Sequence, residues 1–532
     1  MGNTMTTVRL LAVPLENDYK HTFYFQNDIA QANYFSSKVV KVANNCSYQR
    51  KEKMIRFPAF IESIERCNYV MYNNGEHSAK WYYAFITKME YKNDEMTEIY
   101  IETDVMQTWL RNNDYTIKTS FIEREHVDSD IVGEHTIPEG LDTGEYISNA
   151  KITNEELQDV SLVIGCTIDI NDYTNQADDW NSTKEFKATY GTHYNGLFSG
   201  LKYYVISASN LKTVMKHIAY EGQEDAVQTL FYAPTNFIEM GTAGKYATEI
   251  NGSLHVKNKP WVVGSKPTML DGYTPRNKKL LTAPFQYLLV DNGGGGACEY
   301  MYEKFDDDTL QFNVYSVLTS GMSIRAVPTN YNGALLNDSE GINLSKYSIC
   351  SWVSDAYTSW LTQSAVNVGL TTAGAIIATV GAVALTPATA GASLAIGASV
   401  AGGSLAVASS LANANERLSI PPQIHGNTNS GDVSVAKGDV TFRAYKMSIR
   451  KEYAKIIDGY FDMYGYKTNR VGIPSFAHRE NYWYIKTIDV NIDADLPMED
   501  LQKIKACYNN GITFWDNPSN IGNYSVSNEC TG

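Results

Sequence analysis

The sequence predicts a mainly β protein of the α+β kind, made of antiparallel barrel- or sandwich-like units and interrupted late in the chain by a long apolar loop resembling a helical hairpin. Three observations carry this. Trp81–Met89 and Met96–Val105 alternate apolar and polar residues around the polar turn Lys92-Asn93-Asp94-Glu95, the pattern of a half-buried antiparallel hairpin. Aromatic residues make up 12% of the 532 positions and include 37 Tyr, which suits sheets and broad contact surfaces better than disorder. Between Asp355 and Glu416 there is no Asp, Glu, Lys or Arg.

Taken in order, Val8–Val13 and His21–Phe25 read as short strands, and Ile29–Val42 as a short helix. In the hairpin, Trp81, Tyr83, Phe85 and Met89 are expected on one face of the first strand. Ile99, Ile101 and Val105 share a face of the second, with Glu98, Glu102 and Asp104 turned away. Strands are expected at Ser161–Asp169, Lys202–Ser207, Gln286–Val290 and Leu310–Leu318. A helix is expected over Asn210–Tyr220, with Leu211, Val214, Met215 and Ile218 on its apolar side. Gly293–Gly296 lacks the Lys-Ser/Thr and the helix start of a phosphate cradle and reads as a loop.

The uncharged stretch Ala356–Asn415 divides into two arms, Ala365–Leu385 and Ala392–Leu411, joined by Thr386-Pro387-Ala388-Thr389-Ala390-Gly391. As a helix, each arm would be roughly 30 Å long, the thickness of a bilayer's hydrocarbon core. Pro387 and Gly391 supply the turn. Membrane-inserting side chains are expected at Val366, Leu370, Ile376, Ile377, Val380, Val383 and Leu385 in the first arm. In the second they are Leu394, Ile396, Val400, Leu405, Val407 and Leu411. Small residues four apart, such as Gly391/Ala395 and Ala398/Gly402, favour close helix packing. The arms are poorer in Leu, Ile and Phe than a permanent anchor, which points to a segment stored in a soluble particle and inserted later. The competing reading is a pair of buried core helices; the absence of a polar face on either arm weighs against it.

Beyond a polar loop at Pro421–Lys437, a helical stripe of Tyr453, Ile456, Ile457 and Tyr460 and an alternating strand Trp483–Ile492 are expected. A last helix opens with Pro497 at its first position, carries Glu499 and Asp500 in its first turn, and stops before Gly511. The expected domains are a β-rich 1–153, an α+β middle 154–354, the apolar loop 355–431 and an α+β region 432–532.

A net charge of −15 argues against tight binding to nucleic acid phosphates but suits a conduit that DNA slides through. The seven Cys are scattered without CxxC spacing, so neither a zinc site nor a disulfide framework is indicated. No charged-then-apolar leader opens the sequence, which predicts synthesis in the cytoplasm. HExxH, HxxEH, GxSxG and GxxxxGK[ST] are all missing, so no enzyme, catalytic residue, metal or cofactor is expected. Glu123/Glu125 and Asp306–Asp308 are acidic groupings better explained as solvated faces than as a glycosidase pair. Asp489–Asp495 superficially matches a calcium loop, but Ala494 stands where Gly is required.

Three blocks resemble one family. The first runs from Tyr69-Val70-Met71-Tyr72 through Trp81-Tyr82-Tyr83-Ala84-Phe85-Ile86-Thr87 and Asp104-Val105-Met106-Gln107-Thr108-Trp109 to Phe121-Ile122-Glu123-Arg124-Glu125-His126-Val127. The second is Tyr464-Gly465-Tyr466-Lys467-Thr468-Asn469-Arg470 with Tyr484-Ile485-Lys486-Thr487, and the third is Asn509-Asn510-Gly511-Ile512-Thr513-Phe514-Trp515. Together they are similar to the distal tail-tube, or tail knob, proteins of small short-tailed phages of Gram-positive hosts. The resemblance implies a non-enzymatic virion protein at the tail tip, assembled as a homohexameric ring with other tail proteins. It also implies that the apolar loop plugs the lumen until ejection, then enters the host cytoplasmic membrane while DNA passes without tight binding. A pore-forming toxin and a tail-associated cell-wall hydrolase are the alternatives.

Overall fold

The computed structural model describes residues 6–49, 52–74, 80–110, 114–171, 193–194, 197–198, 201–220, 223–251, 253–254, 256–293, 296–317, 324–332, 341–344, 349–350, 441–474 and 483–529. They group into two compact units, each discontinuous in sequence. The first unit draws on Met1–Gly144, Gly272–Pro284 and Arg450–Gly532, and the second on Glu145–Asp271 and Phe285–Ile449.

In the first unit six antiparallel strands close a barrel in the order Thr6–Leu11, Val39–Gln49, Met54–Phe57, Met96–Thr103, Tyr82–Asn93 and Tyr69–Asn74. Every second residue points inward, and Val8, Leu10, Ile55, Phe57, Val70, Ala84, Ile99 and Ile101 fill the interior. The expected hairpin is present, with one correction. A bulge between Ile86 and Lys88 shifts the alternation, so Trp81, Tyr83 and Phe85 pack outside the barrel while Met89 joins the barrel core. Val105 opens a short helix, Val105–Trp109, instead of ending the strand, because the Asp104 carboxylate accepts from the amides of Met106 (3.0 Å) and Gln107 (3.1 Å). The helix expected to reach Val42 covers Asp28–Ser37; Asn27 caps it, and the β-branched Val39, Val40 and Val42 go into the next strand.

A second sheet of this unit runs in the order His21–Phe23, Ile512–Trp515, Tyr484–Ile488, Ser120–Glu125 and Tyr466–Gly472. Its first pair is parallel and joins the two ends of the chain, with Thr22 opposite Phe514. The helix Met498–Asn510 packs Ile504, Cys507 and Tyr508 against Trp483, Ile485, Ile512 and Phe514. Pro497 sits at the N-cap, one position before the expected place, and Gly511 follows the last turn at φ 93°. Trp483–Ile492 is two strands, not one. Asp489 takes φ 59°, and Ile492–Ala494 leaves to pair with Tyr115–Ile117.

The helix Lys451–Tyr464 does not bury the expected stripe. Ile457 is buried, but Ile456 is 71% exposed and Tyr453 36%; the inward face is Ala454, Ile457, Asp458, Phe461 and Asp462.

The second unit holds a six-stranded sheet in the order Met240–Ala243, Ala247–Ile250, Lys202–Ile206, Val160–Cys166, Val227–Pro234 and Ile349–Cys350. The helix Ala208–Tyr220 buries Leu211, Val214, Met215 and Ile218 as expected. Val256–Ser265, Thr309–Val317, Ile324–Pro328 and Ile342–Asn343 form another sheet. A third runs Tyr146–Thr153, Arg443–Ile449, Gln286–Asp291 and Ala297–Tyr300. One apolar core spans them, with Trp261 between Phe312 and Phe442.

Candidate functional site

The three blocks that carried the family resemblance all fall in the first unit. There the second sheet brings them together: Tyr466 stands opposite Glu125, and Tyr484 opposite Thr513. The residues expected to enter a membrane, Val366 to Leu411 with Pro387 and Gly391, lie outside the described residues, as does the polar loop Pro421–Lys437. Among the described residues no helix is long and apolar enough to cross a membrane.

Two features of the first unit bear on function. The first is the barrel interior, which is packed with side chains. A conduit wide enough for DNA therefore has no room inside one chain's barrel. The second is a patch on the second sheet, where Val471 and Ile488 both stand directly opposite Phe121. Val471 is 70% exposed, Ile488 54% and Phe121 36%, and Ile473 beside them is exposed as well. Together the four form an exposed apolar patch.

The same unit contains a dense polar cluster. Glu139 is buried and pairs with both Arg124 and Lys279, while its Oε1 also accepts from the Lys467 amide at 3.0 Å. Arg124 donates to the Gly465 carbonyl at 2.6 Å and lies over the Tyr460 ring. Burial lowers the Lys279 ammonium from its ordinary range, opposed by Glu139, and raises the Asp462 carboxyl. Asp458, fully buried, accepts from Tyr273 (2.6 Å), the Arg276 amide (2.9 Å) and the Asn277 amide (3.0 Å). His126 accepts from the Tyr484 amide at Nδ1 (2.8 Å), which places its proton on Nε2, donated to the Asp462 carbonyl at 3.1 Å. A cavity of about 370 Å³ opens beside this cluster, lined by His126, Asp130, Arg276, Asp462 and Tyr466 among others. Its carboxylates are held by internal partners, so the cluster fastens chain segments together and has no free acid–base pair.

The acidic groupings read from sequence are likewise spoken for. Glu123 pairs with Lys486 at 2.8 Å and Glu125 with Arg470, while Asp306 and Asp307 accept from Asn332 and Asn330. Asp489 and Asp493 are split by the break between the two strands. Among the described residues no three His, Cys, Asp or Glu side chains gather as metal ligands would. Cys46, Cys67, Cys166 and Cys507 are buried free thiols, and burial pushes Cys46 up to about 11 and Cys507 to about 12. Asp458, Asp462 and Glu139 were not singled out from sequence, because nothing local separates a buried carboxylate from a solvated one.

Comparison with known proteins agrees with this picture. Residues 253–529 match the family model described as the C-terminal domain of the tail knob protein gp9 of Bacillus phage phi29, and residues 4–114 match the caudoviral major tail protein N-terminus. The chain is 26% identical to tail knob protein gp9 of Bacillus phage phi29 over 609 aligned positions, covering 98% of each. It is 27% identical to that of Bacillus phage PZA over 606, again 98% of each. The tail knob protein gp12 of bacteriophage C1 has the same fold, with a TM-score of 0.65 at 13% identity over 97% of this chain and 98% of the other. With more than half of its length inside the gp9 C-terminal model, the chain belongs to the phage tail knob protein family, structural components of the virion tail and not enzymes.

Proposed function

We propose that copies of this chain, six to a ring, form the distal tube of a short phage tail, conduct DNA through the lumen between them, and perforate the host cytoplasmic membrane with Ala365–Leu411. The observation that carries this reading is the uncharged stretch Ala356–Asn415 within a tail knob protein. Its two arms are long enough to span, and its turn residues allow a hairpin. A filled barrel supports a passage formed between chains rather than through one. The exposed apolar row of Val471, Phe121 and Ile488 supports contacts with further copies or other tail proteins. A net charge of −15 lets like-charged DNA pass without sticking.

The test uses liposome dye release and electron microscopy together. A charge at the centre of a spanning helix costs about 2.5–3.5 kcal/mol, more than arms rich in Ala and Gly offset. Ile377→Asp or Val400→Asp should therefore abolish dye release while six-fold rings still form, and Thr428→Asp in the polar loop should leak normally. Full release by Ile377→Asp particles defeats the pore. Failure of those particles to form makes the arm a buried core element, and peptidoglycan digestion by the purified protein favours a hydrolase.

A further inference from the structure

The chain passes between its two units four times, at 144/145, 271/272, 284/285 and 449/450. Three of these passages meet at one end of a single sheet in the second unit. Tyr146 pairs with Ile449, Gln286 pairs with Ser448, and the Ile449 amide donates to the Phe285 carbonyl at 2.9 Å. The excursion between the passages at 271/272 and 284/285, Gly272–Pro284, is unlike its neighbours. It adds no strand to the sheets of the first unit, and its only helix is the short turn Lys278–Leu281.

Side chains hold it instead. Both oxygens of Asp458 are taken up by the excursion, Oδ2 by the Tyr273 hydroxyl and the Arg276 amide, Oδ1 by the Asn277 amide and side chain. Asn277 also donates to Asp462 at 2.7 Å, and Arg276 pairs with the same carboxylate. Asp130 takes the Lys278 amide at 2.8 Å, and Glu139 takes the Lys279 ammonium. Leu280 is fully buried. Asp458 and Asp462 lie one turn apart on the inward face of Lys451–Tyr464, where an apolar pair would be the ordinary choice. Burying two carboxylates is costly unless each is supplied with donors, and the excursion supplies them.

We propose that Gly272–Pro284 is a strap and that Asp458 and Asp462 are its clasp: these two carboxylates hold the excursion on the first unit, and without their charge it comes away while the rest of the unit stays folded. The reading is independent of the membrane function of the apolar arms.

Trypsin tests it directly, because Arg276, Lys278 and Lys279 are cleavage sites within the strap. In the full chain the strap should resist cutting, and in Asp458→Asn/Asp462→Asn it should be cut about tenfold faster or more, since charge-assisted hydrogen bonds are lost. Far-UV circular dichroism of the variant should be unchanged, so that the faster cutting reports the strap and not unfolding of the unit. Unchanged cutting overturns the proposal. Should the variant fail to fold, hydrogen exchange in the unaltered protein decides. The amides of Arg276, Asn277 and Lys278 should open together while the strand Arg443–Ile449 stays protected. Exchange of those amides only on global unfolding refutes the strap.

Discussion

Asp104 shows how one residue can serve local structure at the expense of charge. It caps the helix Val105–Trp109 and accepts from the Tyr69 hydroxyl at 2.7 Å, yet it is fully buried. Burial pushes its carboxyl up to about 6, although the amides of Gln107 and Met106 and the Tyr69 hydroxyl pull the other way. A carboxyl raised on folding contributes stability that is present below its unfolded value, near 3.9, and lost as pH rises through the folded value. Relative to Asp104→Asn, which keeps the acceptor and removes the charge, the natural protein should lose on the order of 2–3 kcal/mol between pH 4 and pH 7. Melting temperatures of the two proteins should therefore converge in acid, with the variant the more stable at neutral pH; a constant offset across that range contradicts the assignment. The sequence already offered Asp104 as the residue turned away from an apolar strand face. That it caps a helix depended on where the strand stopped.

At the scale of elements, the helix Lys451–Tyr464 separates what periodicity reports from what it cannot. Its presence was legible from the spacing of Tyr453, Ile456, Ile457 and Tyr460, while the structure shows where it ends, at Gly465 with φ 61°. Its inward face was not, because two of the five buried positions are Asp and hydropathy assigns Asp to solvent. The two glycines near its end make opposite predictions. A Cβ on Gly459 meets nothing within 4 Å, so Gly459→Ala should stabilise by about 0.5–1 kcal/mol through helix propensity. A Cβ on Gly465 runs into the Glu125 carbonyl at a positive φ, so Gly465→Ala should destabilise by about 1–3 kcal/mol or more. Urea midpoints read both; equal effects of the same sign would show the helix end to be placed otherwise. The bulge at Ile86/Lys88 is a similar case, for one extra residue moved Met89 to the opposite face without any mark in the alternation.

For the whole molecule, deletion of Thr362–Asn415 should leave a soluble protein that melts as the full chain does, since each unit has an apolar core built from residues outside that stretch. An aggregated or unfolded product would instead make the arms part of a core. The sequence by itself determined the β-rich character, the hairpin Tyr82–Asn93/Met96–Thr103, the helices Ala208–Tyr220 and Met498–Asn510, and the uncharged stretch. These rest on local periodicity and on caps a few residues apart, which any reader of the chain can see. Only the tertiary structure decided that Thr22 pairs with Phe514, that Asp458 serves Tyr273 and Asn277, and that each unit is assembled from separate stretches of the chain. Those contacts join residues 181 or more positions apart, and a strand edge or a buried carboxylate carries no local sign of the partner that satisfies it.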